Sequence, residues 1–165
     1  MRADRDVLRG AALIRPGRDS DADAFITLIG RCWADYDLRL DVDADEPDLR
    51  ALGSAYTRAG GALWIADEGD GMIATRPVSG DGWEICRVYV SPERHGSGLG
   101  QILLRTAEAH ARAEGARHYE LWTDSRFGRA HRFYEKHGYA RQPEQRTLHD
   151  TNGPFVEFRY WKRAV

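Results

Sequence analysis

The chain has 165 residues, enough for one domain with a hydrophobic core and too few for two, so we expect residues 1–165 to form a single domain. Charged side chains are plentiful but nearly balanced, with a formal net charge of −2. This balance argues against nucleic acid or an anionic membrane surface as a partner. No apolar run approaches the length that spans a membrane.

The N-terminal residues and the two cysteines bear on the cellular compartment. Residues 1–10 are charged and lack an apolar core, so we expect a flexible lead-in rather than a signal peptide. Cys32 and Cys86 fall in a predicted helix and a predicted strand and do not form a close pair. A disulfide framework or a zinc site is therefore not expected, and we predict a cytoplasmic protein.

The first third of the chain is predicted to be a strand and two helices. A short strand at 12–15 is stopped by a Pro-Gly pair. Asp21 can cap a helix that runs to Trp33, in which apolar residues recur every three or four positions. The acidic stretch 41–46 is predicted to be a loop. Pro47 then suits the start of a helix that ends near residue 60.

The remainder alternates strands, glycine turns and helices. Strands are predicted at 62–66, 72–75, 83–90, 119–123 and 155–161, with helices at 99–115 and 127–136. Most consecutive strands are joined by short turns, which favours antiparallel pairing. We therefore predict an α+β fold with a mixed, mostly antiparallel central sheet of about six to seven strands and about four helices.

The glycine turn at 96–100 is the strongest local signal. Gly96, Gly98 and Gly100 stand between a predicted strand and a predicted helix. Glycines let the backbone approach a ligand, and the first N–H groups of a helix have no partner within it. Together these features predict a cradle for a phosphate or pyrophosphate. A turn that only joins the strand to the helix is the simpler alternative.

Two other phosphate-binding motifs can be compared with this turn. A P-loop requires Lys and then Ser or Thr after its last glycine, whereas Gln101 and Ile102 follow Gly100 here. A dinucleotide fingerprint would have a third glycine at position 101. That interpretation stays open because Asp124 ends the next strand, where an acidic ribose partner could lie.

Two segments resemble motifs of the GNAT superfamily of acyl-CoA-dependent N-acyltransferases. The run 95–100, His-Gly-Ser-Gly-Leu-Gly, is similar to the family's pyrophosphate-binding pattern of Gln or Arg, two residues, Gly, one residue, and Gly or Ala. The run 130–139 is similar to the family's next helix, with an alanine, an aromatic pair, and a glycine followed by an aromatic residue. The order of elements agrees from about Leu13 to Trp161, and this resemblance implies a GNAT-like fold.

The resemblance also implies how acetyl-CoA would bind. The backbone N–H groups of the turn would hold the pyrophosphate, and the predicted strand end would bind the pantetheine arm and the acyl carbonyl as an added strand would. The turn residues are His95, Gly96, Ser97, Gly98, Leu99, Gly100 and Gln101, and the strand residues are Val88, Tyr89 and Val90. His95 replaces the usual Gln or Arg, and Arg94 could supply the charge. Phe127 stands where many members carry Asn, at a position that contacts the cofactor.

Catalytic roles come from the same resemblance. Tyr134 aligns with the tyrosine that acts as general acid toward the leaving thiolate, and a phenol is protonated at neutral pH. A buried core aromatic is the alternative for this position. Glu84 aligns with a general base on the amine. Four strand residues place it about 13 Å from Val88, so it would need intervening waters or a strand bulge.

Other polar and aromatic residues give weaker signals. The four histidines at 110, 118, 131 and 137 show no metal-like pairing, and no metal is predicted. Asp124, Arg126, Arg146 and Asp150 are expected to flank the acceptor side or to be ordinary surface charge. Trp33 and Tyr36 are expected to close the pocket or to pack in the core.

The resulting hypothesis is an N-acetyltransferase that moves an acetyl group from acetyl-CoA directly to a primary amine of a small molecule or amino acid. One alternative is a non-catalytic acyl-CoA-binding regulator of a partner, and another is a nucleotide-dependent oxidoreductase. The near-neutral charge argues against a highly cationic protein substrate. Homodimers occur in the family, and no feature of the sequence reports one.

Overall fold

A computed structural model describes residues 12–165, so the predicted lead-in at 1–10 lies outside the described residues. Helices flank a sheet, and short 3-10 turns precede several of them. The helices are α1 (Ala22–Ala34), α2 (Val42–Asp45), α3 (Leu52–Arg58), α4 (Leu99–Ala113) and α5 (Gly128–Lys136). The strands are β1 (Ile14–Pro16), β2 (Ala62–Ala66), β3 (Gly71–Pro77), β4 (Gly82–Val90), β5 (His118–Asp124), β6 (Ala140–Asp150) and β7 (Gly153–Arg163).

The sheet has seven strands in the order β1-β2-β3-β4-β5-β7-β6. Of the described strand pairs only β4 and β5 are parallel, because α4 returns the chain to the same edge between them. The mixed, mostly antiparallel sheet predicted from the sequence is confirmed. Within residues 12–165 no helix is long and apolar enough to cross a membrane.

Two helical layers bury the two sheet faces. Helix α4 buries Leu99, Leu103 and Ala107 on one side of the sheet, at the three- and four-residue spacing of one helix face. Helix α1 buries Phe25, Leu28 and Ile29 on the other side. These two layers fix the parallel strands β4 and β5 between them, where the candidate site lies.

Two segments differ from the sequence-based expectation. The acidic stretch 41–46 contains a helical turn, α2, because the Asp41 side chain accepts a hydrogen bond from the Ala44 N–H at 3.1 Å and caps it. Strand β6 was not predicted at all. It lies at the sheet edge, pairs with β7 from Ala140 to Asp150, and is exposed along nearly its whole length.

Candidate acyl-CoA site

The site begins where the two parallel strands separate. Strand β4 pairs with β5 only from Gly82 to Glu84 within the described residues, although β4 continues to Val90. The strands diverge beyond that point and leave a gap beside the end of β4. A cavity of about 340 Å³ occupies this region, and Val88, Tyr89 and Val90 line it. The predicted strand end therefore faces open space wide enough for a ligand.

A β-bulge interrupts β4 at the same place. Ala74 of β3 pairs with Cys86 and Met72 pairs with Tyr89, so two residues, Arg87 and Val88, oppose one residue of β3. Arg87 has a φ of +55°, which is rare for a residue with a side chain. A bulge removes one peptide unit from the ladder and turns its polar groups to other partners. Among the described strands, none pairs with the β5-facing edge of β4 beyond Glu84, so this edge is open to a ligand.

The Arg87 side chain holds this bulge in place. Its guanidinium donates to Glu46 at 2.8 Å and to Asp48 at 3.0 Å, both in the segment that precedes α3. The arginine side chain is only 16% exposed. The left-handed backbone at Arg87 is therefore stabilised by ion pairs to a segment about forty residues earlier in the chain.

Replacing this arginine should destabilise the fold. We expect Arg87→Met to lower the free energy of unfolding by about 1–3 kcal/mol, because Glu46 would lose a charged hydrogen-bond donor. Arg50→Met is the matched control. Its pair with Asp43 is exposed on both sides, so we expect a change below about 0.5 kcal/mol. Urea denaturation measures both, and equal small losses would show that Arg87 does not hold the bulge.

The glycine turn presents unpaired amides to the cavity. The N–H groups of Gly96, Gly98, Gly100 and Gln101 have no hydrogen-bond acceptor among the described residues. The first two glycines have φ values of +76° and +87°, and a Cβ on either would meet nothing within 4 Å. Four N–H groups at a helix start thus face open space, as an anion cradle requires.

Two other amides of the turn form hydrogen bonds within the protein. The His95 N–H donates to the Pro92 carbonyl at 3.3 Å, and the Ser97 N–H donates to the Arg94 carbonyl at 3.1 Å. The Leu99 N–H is 3.3 Å from the Ser97 Oγ. The prediction that amides of the whole run from His95 to Gln101 face a ligand is therefore too broad.

The charge expected beside the cradle comes from another source. Arg94 donates to Asp67 at 2.8 Å and to Asp70 at 2.9 Å, so it anchors the turn between β2 and β3 and does not line the cavity. His95 does line it, as do Lys136 and His137 at the end of α5. Burial and the neighbouring ammonium lower the pKa of His137. Lys136 is thus one cation of the cavity wall that the sequence interpretation missed.

Tyr134 lies in the cavity wall on α5. It is 6% exposed, and its ring packs near those of Phe133, Tyr139 and Tyr160. No described residue forms a hydrogen bond with its hydroxyl, whereas the neighbouring Tyr139 and Tyr160 hydroxyls both donate to glutamates. Burial raises the pKa of Tyr134, so the phenol holds its proton. The residue is a core aromatic that also lines the cavity, and its role as a general acid stays a prediction.

Helix α1 forms the opposite wall. The Cys32 thiol donates to the Val90 carbonyl at 3.3 Å, and burial raises the pKa of this thiol to about 11. The Trp33 indole donates to the Tyr89 hydroxyl at 3.2 Å, and burial raises the pKa of Tyr89 to about 12. These bonds fix the end of β4 against α1. Trp33 is a core residue, and Tyr36, one turn later, reaches the cavity.

An aromatic pair joins α1 to α5 across the cavity. The Tyr36 and Phe127 ring centroids are 4.9 Å apart, and both side chains line the cavity. Phe127 occupies the position just before α5, where the resemblance implies a polar cofactor contact. Phe127 has no polar group for such a contact, and its ring packs against Tyr36 instead.

Glu84 lies outside this cavity. Its carboxylate accepts from Arg76 on the neighbouring strand at 2.9 Å, and the bulge separates it from Val88. The sequence argument required either intervening waters or a strand bulge, and a bulge is present between Glu84 and Val90. A base role for Glu84 acting through water stays a prediction.

The remaining candidates form structural contacts. Arg126 pairs with Asp124 at 2.6 Å and with Asp150 at 3.1 Å, and Arg146 pairs with Glu157 at 2.7 Å. The His131 Nε2–H donates to the Asp124 backbone carbonyl at 2.9 Å, and the ring packs on Phe158. Residues 12–165 contain no cluster of three metal-ligating side chains.

Helix periodicity could have found several missed cavity residues. Ala130, Phe133 and, just after the helix, His137 lie three or four positions from one another or from the predicted Tyr134, on one face of α5. Asp35 and Arg129 also line the cavity. Their positions depend on how α1 and α5 pack, which the local sequence does not report.

Diverging parallel strands, a bulge, a helix-start cradle and a buried tyrosine define the class of acyl-CoA-dependent N-acyltransferases. The model of the acetyltransferase (GNAT) family matches residues 22–139, and the chain belongs to this family. The dinucleotide alternative does not fit the structure, because it requires a parallel sheet and Asp124 is already paired with Arg126.

Curated relatives are acetyltransferases. The chain is 32% identical over 137 residues to an aminoglycoside N(6')-acetyltransferase type 1 from Stenotrophomonas maltophilia, covering 73% of this chain and 79% of that protein. It is 29% identical over 137 residues to a mycothiol acetyltransferase from Thermobispora bispora, covering 76% of this chain and 44% of that protein. The chain thus spans less than half the length of the second relative.

Solved structures share the fold. A GNAT-family acetyltransferase from Staphylococcus aureus Mu50 superimposes with a TM-score of 0.76 at 19% identity, covering 94% of this chain and all of that one. An acetyltransferase from Streptococcus agalactiae 2603 gives a TM-score of 0.75 at 21% identity, covering 92% and 98% of the two chains. At these identities the likeness concerns the fold alone.

Proposed function

We propose that the protein is an N-acetyltransferase that moves the acetyl group of acetyl-CoA directly to a primary amine of a small molecule. The observation that carries this proposal is one continuous cavity that contains the free amides of the glycine turn, the open end of β4 and Tyr134. The curated relatives named for aminoglycoside and mycothiol acetylation support a small-molecule acceptor. The free thiols Cys32 and Cys86 suit a cytoplasmic location.

In this proposal the cofactor spans the cavity from the turn to the bulge. The amides of Gly96, Gly98, Gly100 and Gln101 bind the pyrophosphate, with Lys136 nearby as a cation. The pantetheine arm lies beside Val88–Val90, where β5 has turned away. The cradle and the strand gap lie in one cavity, so a single extended ligand can occupy both.

The reaction follows from this placement. The neutral amine attacks the thioester carbonyl, a C–N bond forms, and a backbone N–H at the bulge stabilises the negative charge on the carbonyl oxygen. The C–S bond then breaks, Tyr134 gives its proton to the leaving thiolate, and the proton that the nitrogen releases as the amide forms returns the tyrosinate to its phenol form. The proton of the incoming ammonium leaves through water, with Glu84 as its candidate acceptor.

A thermal shift assay combined with a thiol-release assay tests the proposal. Acetyl-CoA at a hundred times its Kd should stabilise the protein by about 2.7 kcal/mol and raise Tm by roughly 5–10 °C. NAD should not raise it. Thiol release with some member of a primary-amine panel would establish catalysis.

The same experiment separates the alternatives. Stabilisation by acetyl-CoA without thiol release across the amine panel would favour a non-catalytic acyl-CoA-binding regulator. Stabilisation by NAD and not by acetyl-CoA would contradict the assignment of the cradle to CoA.

A further inference from the structure

Two histidines lie beside the pyrophosphate cradle, and no step of the proposed reaction uses them. His95 opens the glycine turn, directly before Gly96, whose N–H is one of the unpaired cradle amides. His137 directly follows the last residue of α5. Both side chains line the cavity. The turn and the end of α5 thus each bring one imidazole to the same end of the cavity.

Packing against the cradle helix fixes the position of His137. A Cβ on Gly100 would lie 3.2 Å from the Phe133 ring, so this glycine and this ring are in close contact. The Phe133 ring centroid is in turn 4.7 Å from that of His137. The Gly100 N–H is an unpaired cradle amide, and His137 therefore lies one aromatic ring away from it.

Both rings keep their polar nitrogens available for a ligand. No described residue forms a hydrogen bond with the ring of His95 or His137, whereas the rings of His118 and His131 both bond to protein groups. A polar group that lines a cavity and has no protein partner is suited to bind what enters that cavity.

The charges around His95 leave it without an acidic partner among the described residues. Asp35 is the only acidic residue in the lining of the cavity. The charged residues next to His95 in the chain are already bound to other segments, in the ion pairs Glu93–Arg31, Arg94–Asp67 and Arg94–Asp70. An anion in the cradle would therefore be the counterion of this ring.

The surroundings of His137 are mainly cationic. Lys136 precedes it, Lys162 approaches from β7, and Arg105 and Glu108 approach from α4. The Glu108 carboxylate is already paired with the Lys162 ammonium at 3.1 Å. Burial and the neighbouring cations lower the pKa of His137 in the free protein, and a bound anion would act in the opposite direction.

We propose that His95 and His137 bind the cofactor diphosphate as imidazolium cations, so that acetyl-CoA binding takes up protons from solvent. This inference rests on the proposed assignment of the cradle to CoA. A charged donor forms a stronger hydrogen bond to a phosphate oxygen than a neutral donor does. Because the histidines carry more protons in the complex than in the free protein, the affinity should rise as the pH falls through the range in which imidazoles titrate.

The test needs a probe that does not itself titrate in this range. CoA carries a 3′-phosphate, and a phosphate monoester takes up its second proton near about pH 6. The S-methyl thioether of dephospho-CoA lacks this phosphate and the free thiol and keeps the diphosphate. Isothermal titration at about pH 6 and about pH 8, at matched ionic strength, measures its Kd.

The variants replace the imidazoles by side chains that cannot be charged. His95→Gln/His137→Gln keeps polar hydrogen-bonding groups at both positions and removes both titrations. The two single variants give the same test at one histidine each. His149→Gln is the matched control, because His149 is exposed on β6 and outside the lining of the cavity.

We expect the wild-type Kd to be at least about tenfold higher at the higher pH. The double variant should bind almost equally at both pH values, each single variant should lose part of the ratio, and His149→Gln should keep all of it. A wild-type ratio near one, or a double variant that keeps the wild-type ratio, would overturn this inference and leave the cradle assignment intact. Failure of the wild type to bind both the probe and acetyl-CoA at either pH would overturn the proposed function instead.

Discussion

Gly98→Val should abolish CoA binding. Gly98 lies before the first turn of α4, and its Cβ position is open space in the cavity where the cradle amides point. A branched side chain there would occupy the pyrophosphate position and block at least two hydrogen bonds to an anion. Since each is worth about 1.5–3 kcal/mol, we expect at least a hundredfold loss of affinity by isothermal titration.

Backbone strain must be separated from this effect. Gly98 has a φ of +87°, where a β-branched residue is strained, so the variant should also lose about 1–2 kcal/mol of stability. Gly80→Val is the matched control, because Gly80 has a φ of +71° and an equally open Cβ position in the turn between β3 and β4. It should share the stability loss and keep full affinity for CoA. Loss of affinity in both variants would show that strain, not crowding, is responsible.

The cradle could be predicted because it is a local structure. The positive φ values of Gly96 and Gly98 depend on residue type and on neighbours within a few positions. The ion pairs of Arg94 could not be predicted in the same way. Its partners Asp67 and Asp70 lie more than twenty residues away, in a turn that only the folded sheet brings close.

The elements that bury apolar faces were also predictable. Helix α1 and helix α4 follow the three- and four-residue spacing seen in the sequence, and burial confirms it. Strand β6, in contrast, could not be predicted from its sequence pattern. Its run from Ala140 to Asp150 is exposed, charged and interrupted by Pro143, so it has none of the alternation that indicates a strand. Pairing with β7, rather than burial, makes it a strand.

The bulge and the aromatic pair in the cavity wall depend on long-range contacts. Arg87 has no sequence signature for a positive φ, and the ion pairs with Glu46 and Asp48 stabilise that conformation from a distant segment. Phe127 was expected only as a departure from a family pattern. In the structure its ring contacts that of Tyr36 and forms part of the cavity wall.

Tyr134→Phe should lower turnover about 10²–10⁴-fold and leave the Kd for CoA nearly unchanged. The substitution removes one oxygen from a side chain that is otherwise packed among aromatic rings. No described residue bonds to that hydroxyl, so the folded state should lose little stability. Steady-state kinetics with an active amine and titration with CoA measure the two effects.

Tyr160→Phe distinguishes a catalytic hydroxyl from a merely buried one. The Tyr160 hydroxyl donates to Glu135 at 3.0 Å, and its ring lies 6.1 Å from that of Tyr134, so its loss should cost about 1 kcal/mol of stability but no turnover. The pH dependence gives a second criterion. Because burial raises the pKa of Tyr134 above that of a free phenol, its acid form persists at pH 10, and the wild-type rate should not fall there through loss of this proton. If Tyr134→Phe turned over at the wild-type rate, the thiolate would have to take its proton from water, and Tyr134 would be a wall of the cavity without a chemical role.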